Sequence, residues 1–222
     1  MCYLASQQES KKMKLPNVVA FVGNIGAGKD FACDYLRDHY GFLKMGWSDP
    51  LYETLMVLDP PIWLPNQNRY VPLSVVLEAY TIDETKRAFP EIRRWLRLLG
   101  TERGREVHGE DCWVRYMDKE RRRVRKIEKF ANAGTALRDT RHMNEVEYIR
   151  AQGGVIVHVL NDRSTPSAPS EHDSERLDYA KVADYTVQNQ TTKEDYRRHL
   201  EALMAEIEGD WAIPAAKNKV TI

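Results

Sequence analysis

The sequence predicts an α/β fold of three layers, with a mainly parallel five-stranded sheet between helices. Three observations predict it. An apolar run at 18–22 enters Gly23-Asn-Ile-Gly-Ala-Gly28-Lys29, and an amphipathic segment follows. Apolar runs at 18–22, 42–46, 135–138, 155–160 and 184–187 alternate with helical patterns, which calls for parallel strands and right-handed crossovers. A long helical stretch separates the second and third strands. It must therefore sit above the C-terminal edge of the sheet, where open α/β sheets bind ligands.

Each element follows from local pattern. Phe31, Tyr35 and Leu36 give a helix at 29–39 one apolar face, and Gly41 ends it. A second strand at 42–46 leads through Trp47-Ser48-Asp49-Pro50 into a short helix ending near Leu58. Residues 59–72 hold four prolines and two asparagines and read as loop. Residues 73–130 read as mainly helical, with turns at Gly100 and near Gly109. A strand at 135–138 ends at Asp139, and a helix at 144–152 closes at Gly153-Gly154. After the strand at 155–160, a Ser/Pro/Thr-rich connection at 161–170 precedes a last strand and a last helix at 193–209. The core is expected at 15–58 and 131–222, with an insert at 59–130 and a loose leader at 1–14.

Gly23-x-x-x-x-Gly28-Lys29 after a strand and before a helix is a phosphate-binding loop, the P-loop. Its glycines let backbone N–H groups surround phosphate oxygens, and the helix N-terminus adds a favourable dipole. Lys29 supplies a point charge. Asp30 stands where Ser or Thr usually offers a hydroxyl to Mg²⁺. A carboxylate there can hold a hard cation, and it equally suits the first turn of a helix.

Composition sets limits. The chain has 222 residues, and Lys+Arg equals Asp+Glu at 33 each, so no global charge argues for nucleic acid. Cys2, Cys33 and Cys112 show neither metal-ligand spacing nor a disulfide framework, which points to a reducing cytoplasm. No apolar run approaches membrane-spanning length, and 1–14 lacks the apolar segment of a signal peptide.

Four further segments carry charge in informative places. Ile92, Trp95, Leu96 and Leu99 form a buried helix stripe, while Arg93 and Arg97 share another face. Two guanidiniums four apart suit a planar, bidentate anion, or simply a solvated face. Asp139-Thr-Arg141 follows a strand, where a carboxylate facing bound phosphate belongs. Asn144 suits the cap of the next helix. His172-Asp-Ser-Glu-Arg176 can close over nucleotide as a lid or remain a polar surface loop. The basic run 121–129 keeps a helix stripe at Val124 and Ile127, so most of its charge reads as a solvated face; DNA contact is not expected.

Four blocks in order, 23–30, 93–101 with Trp113-Val114, Asp139-Thr-Arg141 with Asn144-Glu145, and 172–175 with Asp184, resemble the bacteriophage deoxynucleoside monophosphate kinases, relatives of the adenylate kinase group. The resemblance covers about 18–200 and implies a P-loop NTPase fold with a helical acceptor-binding insert and a short lid near 161–180. It implies transfer of the ATP γ-phosphoryl group to a deoxynucleoside monophosphate, with Mg²⁺. Gly23, Asn24, Ile25, Gly26, Ala27, Gly28, Lys29 and Asp30 would hold ATP, with Asp30 the candidate metal ligand. Lys29, Arg93, Asp139 and Arg141 would carry the transfer. Trp47, Asp49, Arg93, Arg97, Trp113, Asp139, Arg141, Glu145 and Glu175 would line the acceptor, and Arg163, His172, Ser174 and Arg176 would belong to the lid. The expected partners are small nucleotides, with no membrane contact; a homodimer is left open, and the setting would be a host cytoplasm. One departure matters: the family often carries Gln where this chain has Arg97. A donor-only side chain favours acceptor-rich base edges such as guanine O6/N7.

Overall fold

A computed structural model describes residues 15–164 and 177–212. Strand β1 (Val18–Val22) is wholly buried, so it reads as an unbroken apolar run. It leads through the P-loop into helix α1 (Lys29–Tyr40), which Gly41 closes in the left-handed conformation. Strand β2 (Leu43–Gly46) and helix α2 (Asp49–Leu58) follow. After an insert come β5 (Thr135–Arg138), α8 (Met143–Ala151), β6 (Val155–Leu160), α9 (Tyr179–Val182), β7 (Tyr185–Gln188) and α10 (Lys193–Ala212).

The five main strands are all parallel, in the order β2-β5-β1-β6-β7. Side chains of β1 alternate between two cores. Val19 and Phe21 pack with Cys33 and Leu36 of α1 and Tyr196, Leu200 and Met204 of α10. Val18, Ala20 and Val22 pack on the other face with Met117, Val146 and Ile149. This is the three-layer α/β P-loop fold.

Between α2 and β5 the chain builds a third core from Leu55, Ile62, Val71, Leu73, Val76 and Ile92. The expected loop at 59–72 is instead an antiparallel hairpin, β3 (Pro61–Leu64) with β4 (Arg69–Pro72). Pro61 faces Pro72 at its open end, so the prolines mark strand ends, and Ile62 and Val71 are buried beneath it. Helices α3 (Leu73–Leu77), α4 (Ile82–Ala88) and α5 (Pro90–Arg97) follow.

The expected turn at Gly100 is also corrected. A π-helical stretch, Leu98–Arg105, carries α5 straight on into α6 (Glu106–His108), and only Gly109 turns the chain, at φ 87°. The reason lies downstream in α7 (Cys112–Arg125): the Trp113 Nε1–H donates to the Gly100 carbonyl at 2.8 Å, and its ring lies against the bare Cα of Gly104. A widened helix turn accommodates the indole. A Cβ at Gly104 would stand 2.5 Å from Trp113 Cζ2 and 2.8 Å from the Leu99 carbonyl oxygen. Gly104→Ala should therefore destabilise the protein by about 2 kcal/mol, read from urea denaturation; an unchanged midpoint would refute the close-contact account.

Candidate active site

Gly23, Gly26 and Gly28 hold φ of 141°, 80° and 106°, so the P-loop bends as L side chains rarely do. A Cβ at Gly23 would lie 2.6 Å from the Val159 carbonyl oxygen, and one at Gly28 2.4 Å from Asn189 Nδ2. Asn189 in turn donates to the Ala27 carbonyl at 2.8 Å, and the Tyr196 hydroxyl to that of Gly28 at 3.3 Å. The loop is thus clamped from the β7–α10 side. Around Gly26 nothing lies within 4 Å of the Cβ position, so the mouth of the cradle is open. The first N–H groups of α1 lack intrahelical acceptors and suit phosphate oxygens.

Lys29 folds back over this loop. Its Nζ donates to the carbonyls of Gly23 at 2.8 Å and Asn24 at 2.7 Å. Burial lowers its pKa, and Arg141 adds to the lowering while Asp139 and Asp30 oppose it. Strands β1 and β5 pair side by side, so Lys29, Asp139 and Arg141 all follow the C-terminal ends of neighbouring strands.

Asp139 sits at φ 66°, a left-handed position for a non-glycine residue. Two hydrogen bonds hold the turn. Ser48 Oγ–H donates to Asp139 Oδ2 at 2.7 Å, and Trp47 Nε1–H donates to Thr140 Oγ1 at 3.0 Å. Trp47 is only 4% exposed and packs edge-on against Tyr148. The ring is part of the core, and it ties the β2–α2 turn to the β5–α8 turn. Trp113, as described above, likewise supports the insert helix.

Glu145 is buried as well. Its Oε2 accepts from the backbone N–H of Arg141 at 2.7 Å and of His142 at 3.2 Å, and its Oε1 from Arg105 Nη2 at 3.0 Å. It therefore directs the Arg141 turn from beneath. The cap of α8 is His142, with Glu145 completing a capping box. Asn144, the expected cap, instead donates to the Glu110 carbonyl and to Asp111.

Arg138 ends β5 and escaped the sequence reading. It bonds Asp30 Oδ1 at 3.1 Å and Asp49 Oδ1, while Asp49 Oδ2 accepts from Gly46 N–H at 2.6 Å. Burial works against the Arg138 charge, but Asp49, Asp139 and Asp30 raise its pKa overall. Burial raises Asp49, against Arg138. Asp30 also pairs with Lys44 at 3.1 Å.

The insert arginines stand apart. Arg93 and Arg97 are exposed on α5, and Arg93 Nε–H donates to the Lys86 carbonyl at 3.2 Å. Arg163 is exposed just past β6. His172, Ser174, Glu175 and Arg176 lie outside the described residues.

The cradle fits the phosphates of a nucleotide. Among the described residues no three His, Cys, Asp or Glu side chains group as a metal site. Asp30 and Asp139 offer hard oxygen donors, which suits Mg²⁺ arriving on phosphate oxygens with its waters. No helix among the described residues is long and apolar enough to cross a membrane.

No family model matches the sequence. A protein of Acanthamoeba polyphaga mimivirus named "Putative deoxynucleotide monophosphate kinase" is 24% identical over 198 residues, covering 81% of this chain and 91% of that one. Among solved structures, TT1252 from Thermus thermophilus matches at 19% identity and TM-score 0.43, over 87% of this chain and 98% of that one. The dephospho-CoA kinase of Campylobacter jejuni matches at 11% identity and TM-score 0.45, over 88% and 99%.

Arg105 was missed because it lies in a charged stretch, Thr-Glu-Arg-Gly-Arg-Glu, yet it is buried against Glu145. Burial raises the Glu145 carboxyl from 4.5 to about 7, against two backbone N–H groups and Arg105. A carboxyl raised on folding takes up a proton as the chain folds. Its penalty is absent below about pH 4.5 and full above about pH 7. Arg105→Met should cost about 3 kcal/mol at pH 8, and the loss should shrink on acidification to pH 6. Denaturation at the two pH values tests this; a loss independent of pH would count against it.

Proposed function

We propose that the protein is an ATP-dependent kinase of deoxynucleoside 5′-monophosphates. The carrying observation is that β1 and β5 lie side by side, so the P-loop with Lys29 and the turn with Asp139 and Arg141 leave the same end of the sheet. A nucleotide switch needs the loop alone; a phosphotransferase also needs a cationic clamp for its acceptor. The name of the mimivirus relative supports the same acceptor class.

In this reading residues 23–30 hold the ATP phosphates. Mg²⁺, held by those phosphates with Asp30 or Asp139, would supply charge neutralisation on the transferring group. Lys29 stabilises that group, Arg141 receives the acceptor phosphate, and Glu145 fixes the direction of Arg141 from below. Arg93 and Arg97 are contributed by the insert, with Asp49 at its root. A lid to which Arg163 belongs would exclude water that competes as acceptor. Phosphoryl transfer needs this positioning and charge more than a covalent nucleophile.

ADP release with Mg·ATP across dAMP, dGMP, dCMP and dTMP tests the assignment. Turnover with at least one is expected, and none with any would reject it. Lys29→Ala should lower kcat by roughly 10²–10³ with an unchanged circular dichroism spectrum. Arg97 predicts faster turnover of dGMP than dTMP; equal rates would remove Arg97 from base selection.

A further inference from the structure

The basic run 121–129 is the motif that the crevice leaves unused, and α7 splits it in two. Arg122 pairs with Asp118 at 2.8 Å, and Arg123 Nε–H donates to Glu120 at 2.8 Å. Both are exposed, and each has its own carboxylate one turn back. Arg121 and Arg125, four residues apart, turn inward instead.

Arg121 is 5% exposed. Its guanidinium lies 5.6 Å from the centre of the Tyr148 ring and donates one Nη2–H to the Gln152 side chain. Its Nε and Nη1 are enclosed and have no acceptor among the described residues. Arg125 donates Nη2–H to the Ala133 carbonyl at 2.7 Å, and its Nε is equally enclosed and unpartnered. Among the described residues no carboxylate pairs with either guanidinium. Enclosed polar atoms are almost always hydrogen-bonded, and a buried cation without a counter-charge is costly. Burial, with Arg121 beside it, lowers the Arg125 pKa. The cluster has donors and charge and lacks an anion.

Its place in the fold is distinct. Ala133 lies two residues before β5 and Gln152 three before β6, so the cluster sits at the N-terminal edge of the parallel sheet. The P-loop is at the opposite edge.

We propose that Arg121 and Arg125 form a second anion site, at the sheet edge opposite the P-loop, for one oxyanion of the phosphate class. Two neighbouring guanidiniums present several N–H donors to an oxyanion that accepts several. Half-buried Arg125 gives the approach from solvent. Stacking on Tyr148 offsets part of the Arg121 charge when the site is empty. The site does not depend on the kinase reading.

The test uses the full chain carrying Lys29→Ala, which weakens phosphate binding at the P-loop. Its melting is followed against inorganic phosphate at constant ionic strength, beside Lys29→Ala/Arg125→Gln. Phosphate at ten times its Kd should raise the midpoint by about 4 °C; chloride should not, and the double variant should lose the rise. In phosphate-free buffer the double variant should be at least as stable as its parent, because one of two like charges is gone. No rise in Lys29→Ala, or an equal rise in both, would overturn the site. So would a double variant less stable without phosphate, which would make Arg125 only a brace for Ala133. Repeating the titration with ADP distinguishes the source. A larger rise than with phosphate, still lost without Arg125, assigns a nucleotide phosphate; a smaller one assigns free phosphate.

Discussion

Arg105 and Glu145 meet away from water, and the shape of the crevice depends on that contact. A buried ion pair is weak evidence for stability, because desolvation offsets much of its attraction. Its effect here is registration. Glu145 uses one oxygen for Arg105 and the other for the N–H groups of Arg141 and His142. Arg105 also donates to the Glu110 carbonyl at 2.7 Å. The insert helix and the turn that bears Arg141 are therefore set by one carboxylate. From the other side, Ser48 and Trp47 hold Asp139 and Thr140. A left-handed Asp139 costs about 1–2 kcal/mol, and contacts from two sides are what sustain it.

The crevice is internally balanced. Lys29 rests on two carbonyl oxygens, and Arg138 rests between Asp30 and Asp49. Binding phosphates is then an exchange of partners rather than the capture of an anion by bare cations. Such a site is held in shape before ligand arrives, and its charges do not have to be gathered.

Features written in contiguous residues were legible in the sequence. The P-loop, the parallel strands and the Gly41 and Gly109 turns all follow from local pattern and backbone chemistry. Features set by distant partners were not. The π-helical stretch depends on Trp113, thirteen residues beyond Gly100. The β3–β4 hairpin was hidden by its prolines, which stop strands as readily as they fill loops. The buried bond from Trp47 to Thr140, ninety-three residues away, had no local signal either. The split in the basic run had a local signal: Met117, Arg121 and Arg125 lie on one four-residue ridge, and Met117 is core. Counting charges along the run conceals that ridge.

The departure at position 30 and the arginine at position 138 explain each other. A Ser or Thr after the P-loop lysine would leave Lys44 and Arg138 without that carboxylate. Asp30 meets both at 3.1 Å, with its side chain 60% exposed. An exposed pair of this kind adds little stability, so its consequence is electrostatic. It seats negative charge at the first turn of α1, where the helix dipole favours it, and holds Arg138 against the loop. Arg138 also reaches Asp49 at the start of α2, just before the insert. One guanidinium thus joins the P-loop side of the crevice to the root of the insert. A neutral Ser or Thr hydroxyl at position 30 could not pair with both cations, which is why the carboxylate belongs to this particular arrangement of charges.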